Sequence, residues 1–139
     1  MRYLIDTNVL SELVRNPPAP KVIAWVNAQS RVDLCTSVLV FGEITKAIAL
    51  TTRGRRRDSL RDWATRDLPR IFADRVLSVD HAVATEWGRI AAEAQSKGRP
   101  LGTIDGLLLA TASVHELTLV TRNERECAGR GVTVLNPWQ

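Results

Sequence analysis

Three acidic residues of this 139-residue chain lie in apolar surroundings. Asp6 follows the apolar run at positions 3–5, Glu43 lies on an apolar helical stripe, and Asp105 opens a strongly apolar helical segment that continues over 107–114. Burying carboxylates without partners is costly, so a converging cluster persists only if a cation compensates it or protons neutralise it. Oxygen-only ligands select a hard ion such as Mg2+ or Mn2+, which can also bind a substrate phosphate. The three acids therefore indicate metal-assisted phosphodiester chemistry, provided that the fold brings them together.

Each acid also has a structural alternative. Asp6 could cap the helix that follows it, because a carboxylate accepts from the free N–H groups at a helix start. Glu43 could pair with Lys46 three residues later, an arrangement that stabilises a helix by about 0.2 to 0.5 kcal/mol. Asp105 lies in the first turn after the expected cap Thr103, where a negative charge contributes roughly 0.3 to 1 kcal/mol. Taken singly, each carboxylate could be structural.

The elements that would position these acids alternate between strands and helices from end to end. No two-residue hairpin signal joins any pair of strands, which predicts an α/β fold with a mostly parallel central sheet and helices on both faces. We expect a single domain over residues 1–139. Short strands are predicted at 3–5, 33–36, 75–79, 118–121 and 132–135. A first helix is predicted to include residue 9, and further helices are predicted at about 21–29, 37–50, 58–70, 81–97 and 103–116. A solvated connection is expected at 51–57 and a loop or short helix at 123–129.

Composition limits the class of protein. The chain is 45% hydrophobic and 24% charged, which is typical of a soluble globular domain, and no apolar stretch is long enough to span a bilayer. The first residues lack the pattern of a secretory signal, so we expect a cytoplasmic protein. Cys35 is predicted to lie in the core and Cys127 in a polar loop, and their spacing favours neither a disulfide framework nor zinc. A formal charge of +4 is compatible with a polyanionic partner without requiring one.

Other phosphate chemistries are poorly supported by the residues. The two histidines, His81 beside the expected cap Asp80 and His115 at a helix end, are not placed as a catalytic pair. Gly98 and Gly102 do not form a phosphate-binding loop of the Walker type. A metal-dependent site remains the better interpretation.

The motifs carrying the three acids resemble those of a known family in order and spacing. The combination resembles a PIN domain and, more narrowly, the VapC-type toxins of bacterial toxin–antitoxin pairs, over nearly the whole chain. The motifs are Asp6-Thr7-Asn8 after a strand, Gly42-Glu43-Ile44 in a helix, Thr103-Ile104-Asp105 opening a buried helix with Ala110-Thr111-Ala112 following, and Leu119-Val120-Thr121-Arg122-Asn123 with the tail Asn136-Pro137-Trp138.

The resemblance implies a Mg2+-dependent endoribonuclease, with Mn2+ as a possible substitute. Asp6, Glu43 and Asp105 match the family's core carboxylates. Asp6 and Asp105 would hold the metal, with Glu43 binding directly or through water, and the bound water would attack an in-line phosphate. Cleavage would leave a 5'-phosphate and a 3'-hydroxyl. The residues leave open whether one or two metals bind.

Further positions match the family's polar residues, with one departure. The matching positions, which would orient the carboxylates or metal-bound water, are Thr7, Asn8, Ser37 and Thr121. Many members have a fourth acid two residues after the matching threonine, where this chain has Asn123. A subgroup shares that asparagine and usually has Asp then Phe further on, where this chain has Glu126 and Cys127. The fourth ligand, Asn123 or Glu126, therefore stays open.

The resemblance also implies partners. These are an RNA substrate, a small antitoxin that wraps an apolar groove and blocks the site, a homodimer and possibly a higher-order assembly with the antitoxin. Val38, Phe41 and Leu50 are candidate interface residues, although core packing is the stronger interpretation of each. An alternative function is a catalytically weak or inactive RNA- or protein-binding regulatory module, which the departure at Asn123 to Cys127 favours slightly.

Overall fold

A five-stranded parallel sheet forms the centre of the computed structural model, which describes residues 1–139. Each strand is short and apolar, and the strand order is β3-β2-β1-β4-β5. The predicted parallel α/β class is thereby confirmed. The strands are β1 (Tyr3–Ile5), β2 (Leu34–Ser37), β3 (Val76–Leu77), β4 (Thr118–Val120) and β5 (Val134–Leu135).

Eight α-helices connect the strands. The chain proceeds from β1 through β2 to β3 in one direction across the sheet, and β4 and β5 lie on the other side of β1. Because crossovers between parallel strands are right-handed, this order puts helices on both faces. The helices are α1 (Thr7–Leu13), α2 (Pro20–Ala28), α3 (Val38–Leu50), α4 (Arg55–Asp62), α5 (Leu68–Phe72), α6 (His81–Ser96), α7 (Thr103–Val114) and α8 (Glu124–Cys127), with a short 3-10 turn at Arg31–Asp33 and a π-helical segment at Trp63–Asp67.

The strand order reverses beside β1, and this reversal positions the site. β2 pairs with β1 on one side of that strand, and β4 pairs with β1 on the other side. Ligands of open parallel sheets bind outside the carboxyl ends of the strands at such a switch point. Because Ile5 is opposite Val120 in the register, Asp6 and Thr121 leave the sheet side by side.

The core fills the space between the sheet and both helix layers. Leu4, Val9 and Val120 are completely buried, and so are Leu108 and Leu109 of α7. Half of the residues of α7 are buried, as expected for a helix whose sequence is apolar on nearly all sides. This packing fixes the start of α7, and therefore Asp105, relative to β1. No helix is both long and apolar enough to cross a membrane.

Several local predictions were wrong. The basic connection predicted at 51–57 ends earlier than expected, since α4 begins at Arg55 and not at Asp58. The long helix predicted over 58–70 is interrupted by the π-helical segment, whose wider turn precedes Pro69, a residue without an N–H for the helical ladder. Thr103 does not cap α7, because Gly102 holds that position and no side chain caps the helix.

Burial also differs from three expectations. Cys127, predicted to lie in a polar loop, is 1% exposed because α8 folds it back onto the core. Val38 and Leu50, for which core packing was the stronger interpretation, are 44% and 77% exposed. Phe41 is partly buried against the core. Helical periodicity does not reveal which apolar residues at the ends of α3 lack a neighbouring element to cover them.

Candidate active site

Asp6 lies where β1 ends and α1 begins, and it is 3% exposed. Its Oδ1 accepts from the backbone N–H of Thr7 at 2.6 Å, so the residue does cap α1. Its Oδ2 accepts from the Thr121 hydroxyl at 2.7 Å and from Nδ2 of Asn8 at 3.4 Å. Asp6 can therefore cap α1 and also contribute to the site, because its two carboxylate oxygens accept from different donors.

Glu43 reaches the same place from α3. Its Oε1 accepts from the Thr7 hydroxyl at 2.5 Å across the contact between α1 and α3. Ile44 and Ile48 of the same helix are buried, and they fix the rotation of α3 that turns Glu43 toward α1. The alternative pair with Lys46 does not form, since Glu43 takes part in no salt bridge.

Asp105 approaches from the first turn of α7 and is half-buried. Burial raises the pKa of its carboxyl, and the negative charges of Glu43 and Glu126 raise it further. The side chain of Asn123 acts in the opposite direction by hydrogen bonding to the charged form. Glu43 and Glu126 therefore both lie close enough to Asp105 for their charges to affect it.

The pKa of Asp6 is affected by the charges of both other acids of the site. Burial raises the pKa of Asp6 from 3.8 to about 6, against the hydrogen bonds from Thr121 and Thr7 that lower it. The charges of Glu43 and Asp105 add to the increase. None of the five salt bridges in the structure involves these three acids or Glu126. The site is therefore a concentration of negative charge without a cationic side chain in contact.

The donor set fits a hard divalent cation in its chemistry. Every candidate ligand is a carboxylate, amide or hydroxyl oxygen, and mutual repulsion among the acids is what a bound cation would relieve. The carboxylates do not, however, form a closed set, because no three His, Cys, Asp or Glu side chains are arranged to hold a metal ion. Asp6 and Glu43 are instead occupied by the donors Thr7, Asn8 and Thr121.

Polar residues of two loops join the site into one network. Thr121 is fully buried, and its hydroxyl oxygen accepts from Asn8 Nδ2 at 3.3 Å and from the Asn123 N–H at 3.0 Å. Oδ1 of Asn8 accepts from the Arg122 N–H at 3.2 Å. The segment after β4 is thus fixed to the start of α1, which sets the position of Asp6.

The remaining predicted residues differ in their placement. Ser37 is fully buried and caps α3, its hydroxyl accepting from the Leu39 N–H at 3.1 Å, and it makes no hydrogen bond to any of the acids. Glu126 of α8 acts on Asp105 through its charge. The assignment of metal binding and catalysis to any of these residues stays a prediction.

Two neighbours of the site were missed by the sequence analysis. Cys127 lies close enough to the acids for their charges to affect it. Burial and then the charges of Asp105, Asp6 and Glu126 raise the pKa of its thiol to about 12. Thr36 is fully buried and donates to the Ile5 carbonyl at 2.9 Å, which ties β2 to the residue before Asp6. The apolar Leu34 and Cys35 before Thr36 in β2 were the available signal, since a buried threonine in a strand needs a partner.

Comparisons with known proteins show the family to which the chain belongs. Residues 3–128 match the PIN domain family. The chain is 33% identical to toxin FitB of Neisseria gonorrhoeae, with 97% of each chain covered. It is 30% identical to VapC ribonuclease Y4jK of Sinorhizobium fredii, with 98% of this chain and 97% of the relative covered.

Among solved structures, FitAB bound to an IR36 DNA fragment contains a chain that superimposes with a TM-score of 0.93 at 31% identity. The match covers 99% of this chain and 96% of that chain. Family, sequence relatives and fold therefore converge, and the chain belongs to the PIN-domain family, among its VapC-type toxins.

Proposed function

We propose that this chain is a Mg2+-dependent endoribonuclease, able to use Mn2+, that acts as the toxin of a toxin–antitoxin pair. The observation that carries the proposal is the buried Asp6 carboxylate, whose pKa is raised to about 6 by burial and by the charges of Glu43 and Asp105, with no cationic side chain paired to it. A relative that matches almost the full length of this chain is named a ribonuclease.

In this proposal Asp6, Glu43 and Asp105 would hold the ion. When bound, Mg2+ supplies Lewis acidity toward a phosphate oxygen and lowers the pKa of a bound water. Every ligand is an oxygen atom, and the negative charge of the three carboxylates favours a divalent cation over a monovalent one. Glu126 and Asn123 remain the candidates for a fourth ligand, because both act on Asp105.

The protein's own groups prepare this site. At neutral pH the Asp6 carboxyl is mostly ionised, since its pKa of about 6 lies below 7. The Thr121 hydroxyl orients one of its oxygens and the Thr7 N–H the other. The Thr7 hydroxyl holds Glu43 toward the same point. These donors fix ligand orientation before substrate binds, and such supporting contacts are typically worth 10- to 100-fold in metal affinity or activity.

An antitoxin and a homodimer are the proposed partners. An apolar groove of about 130 Å3 between α1, α3 and α4 supports a partner helix, because amphipathic helices bury their apolar face in such grooves. The exposed Val38 and Leu50 support a further contact between copies. We also place the protein in the cytoplasm, where RNA is available. The apolar residues of the groove are Val14, Ile44, Ala47, Ile48, Leu60 and Trp63.

Cleavage of RNA by the purified chain tests the enzymatic proposal. We expect cleavage with Mg2+, none with EDTA, and none with Asp105→Asn, and the new ends should carry 5'-phosphate and 3'-hydroxyl groups. Asp74→Asn is a matched control, because Asp74 is an exposed aspartate outside the site. Equal cleavage with EDTA or by Asp105→Asn would contradict the proposal.

One observation favours a second candidate, a catalytically weak RNA- or protein-binding module. The acids do not form a closed ligand set, and Asn123 stands where many family members have a carboxylate. Thermal unfolding separates the two. A metal site predicts a higher Tm with Mg2+ or Mn2+ through preferential binding to the folded state, whereas the binding module predicts an unchanged Tm.

A further inference from the structure

Arg122 and Trp138 lie together at the same edge of the sheet as the acids. Arg122 follows Thr121 after β4, and Trp138 follows β5, which is paired in parallel with β4. The Thr121 N–H donates to the Leu135 carbonyl at 3.0 Å, so both segments leave the sheet at one level. The Arg122 guanidinium carbon lies 5.0 Å from the centroid of the Trp138 ring.

Both residues are held by their backbones. The Arg122 N–H donates to Asn8 Oδ1, and the Nδ2 of Asn8 donates to Asp6. The Trp138 N–H donates to Asn136 Oδ1 at 3.0 Å, which fixes the C-terminal tail. The pair is therefore connected to the acidic site through one intervening side chain, Asn8.

The Arg122 guanidinium has hydrogen-bond donors that no group in the structure accepts from. Trp138 is partly buried against the core and Arg122 is exposed, so the guanidinium forms the outer layer of the stack. The Arg122 side chain makes no hydrogen bond and no salt bridge, although a guanidinium carries five N–H donors. The nearby carboxylates do not neutralise it. Because Arg122 is exposed, these free donors are open to solvent.

We propose that Arg122 and Trp138 form a stacking subsite for one unpaired nucleotide of the RNA beside the scissile position. The base lies on the outer face of the guanidinium, and the adjoining phosphate accepts from its edge. Unpaired RNA bases are recognised by stacking on aromatic side chains and arginine planes, and arginine's fork suits phosphate. The choice of RNA as partner rests on the proposed function.

The arrangement also solves an electrostatic problem. Acids that bind a cation repel an RNA backbone, so a substrate needs a positive contact close by but outside the ligand set. Arg122 is adjacent in sequence to Thr121, the donor to Asp6, yet it makes no ion pair with any acid. It can therefore hold a phosphate without occupying the metal position.

RNA binding in EDTA tests the subsite without requiring cleavage. The probes are a labelled oligoadenosine of about 12 nucleotides, within the usual range of site sizes, and an abasic ribose-phosphate oligomer of the same length. Fluorescence anisotropy gives Kd over a series of salt concentrations. We expect Arg122→Ala to weaken oligoadenosine binding about tenfold, the lower part of the range for loss of one stacking contact.

Variants separate stacking from charge. Arg122→Lys keeps the charge and loses the plane, so it should bind the abasic oligomer like the wild type and oligoadenosine more weakly. Arg122→Ala should also reduce the slope of log K against log salt by about 0.7, the value for one phosphate on a single strand. Trp138→Leu keeps apolar bulk and should lose affinity for oligoadenosine alone. Thermal unfolding checks that each variant is folded.

Arg66→Ala is the matched control, because Arg66 is exposed and pairs only with Asp67 at 3.6 Å. Its Kd should remain within about twofold of the wild-type value, less than 0.5 kcal/mol. Three outcomes would overturn the subsite. The wild-type chain binds neither probe, or Arg122→Lys binds oligoadenosine as tightly as the wild type does. The third is that Arg66→Ala and Arg122→Ala weaken binding equally. Binding through Arg122 without cleavage under Mg2+ would contradict only the proposed nuclease function.

Discussion

The Thr121 hydroxyl donates to Asp6 Oδ2 at 2.7 Å, although 115 residues separate the two in sequence. The register of β1 and β4 produces this contact, because each residue directly follows a paired strand. Thr121 also accepts from Asn8 and Asn123, so its single hydroxyl joins the segment after β4 to the start of α1. It is the central hydrogen-bonding group of the site.

Replacing this hydroxyl should destabilise the protein. Thr121→Val preserves shape but removes the acceptor of the Asn123 N–H and the shorter of the two hydrogen bonds to Asp6 Oδ2, which costs about 1 to 3 kcal/mol. Thr121→Ser keeps the hydroxyl and is the control, with a smaller loss expected from the missing methyl group. Urea denaturation measures both. If the valine variant were as stable as the serine variant, the hydroxyl would not support the site.

The raised pKa of Asp6 predicts a pH dependence of stability for the metal-free protein. Between pH 3.8 and about 6 the folded state holds a proton that the unfolded chain releases, so this group's contribution to stability is lost as pH rises. A shift of roughly two units corresponds to about 3 kcal/mol. Asp6→Asn removes the titration and retains a capping side chain.

Relative to the wild type, Asp6→Asn should therefore gain stability between pH 4 and 7, by up to about 3 kcal/mol in EDTA. Chemical denaturation at several pH values measures the difference between the two proteins, so the titration of all other groups cancels. A difference that does not change with pH would show that Asp6 has an ordinary pKa.

Thr7 should affect catalysis through Glu43. Its hydroxyl donates to Glu43 Oε1 at 2.5 Å, so Thr7→Val frees that carboxylate to turn away. We expect a loss of about 10- to 100-fold in RNA cleavage or Mg2+ affinity, as for other groups that support metal ligands. Thr7→Ser should retain most of the activity. Equal activity of the two variants would mean that Glu43 needs no orientation by this residue.

The sequence was sufficient for the fold class, for physical reasons, whereas the convergence of the acids was an inference that the family resemblance supported. Alternating apolar strands and amphipathic helices predict a parallel sheet, and parallel strands bring their carboxyl ends to one edge. The position of Asp6 at that edge was predictable in this way, whereas Thr121 was named from the family resemblance. Asp105 followed from the apolar character of α7, which requires a buried helix.

Other features depend on contacts that the sequence does not encode locally. Cys127 is buried only because α8 is packed against the core by segments distant in sequence. Ser37 has the residue type of a carboxylate-orienting group, but the β2–α3 junction uses its hydroxyl as a cap. The pairing of Arg122 with Trp138 depends on β5 lying next to β4, a strand order that periodicity does not determine.

Divalent metal affinity tests the central claim most directly. Titration calorimetry with Mn2+ would compare the wild type with Asp6→Asn, Glu43→Gln and Asp105→Asn, and with the exposed control Asp74→Asn. We predict binding by the wild type and the control, and a loss of about tenfold or more in each of the three site variants, about 1.4 kcal/mol or more. Equal affinity in all five proteins, or no binding by the wild type, would contradict the claim that these carboxylates form one metal site.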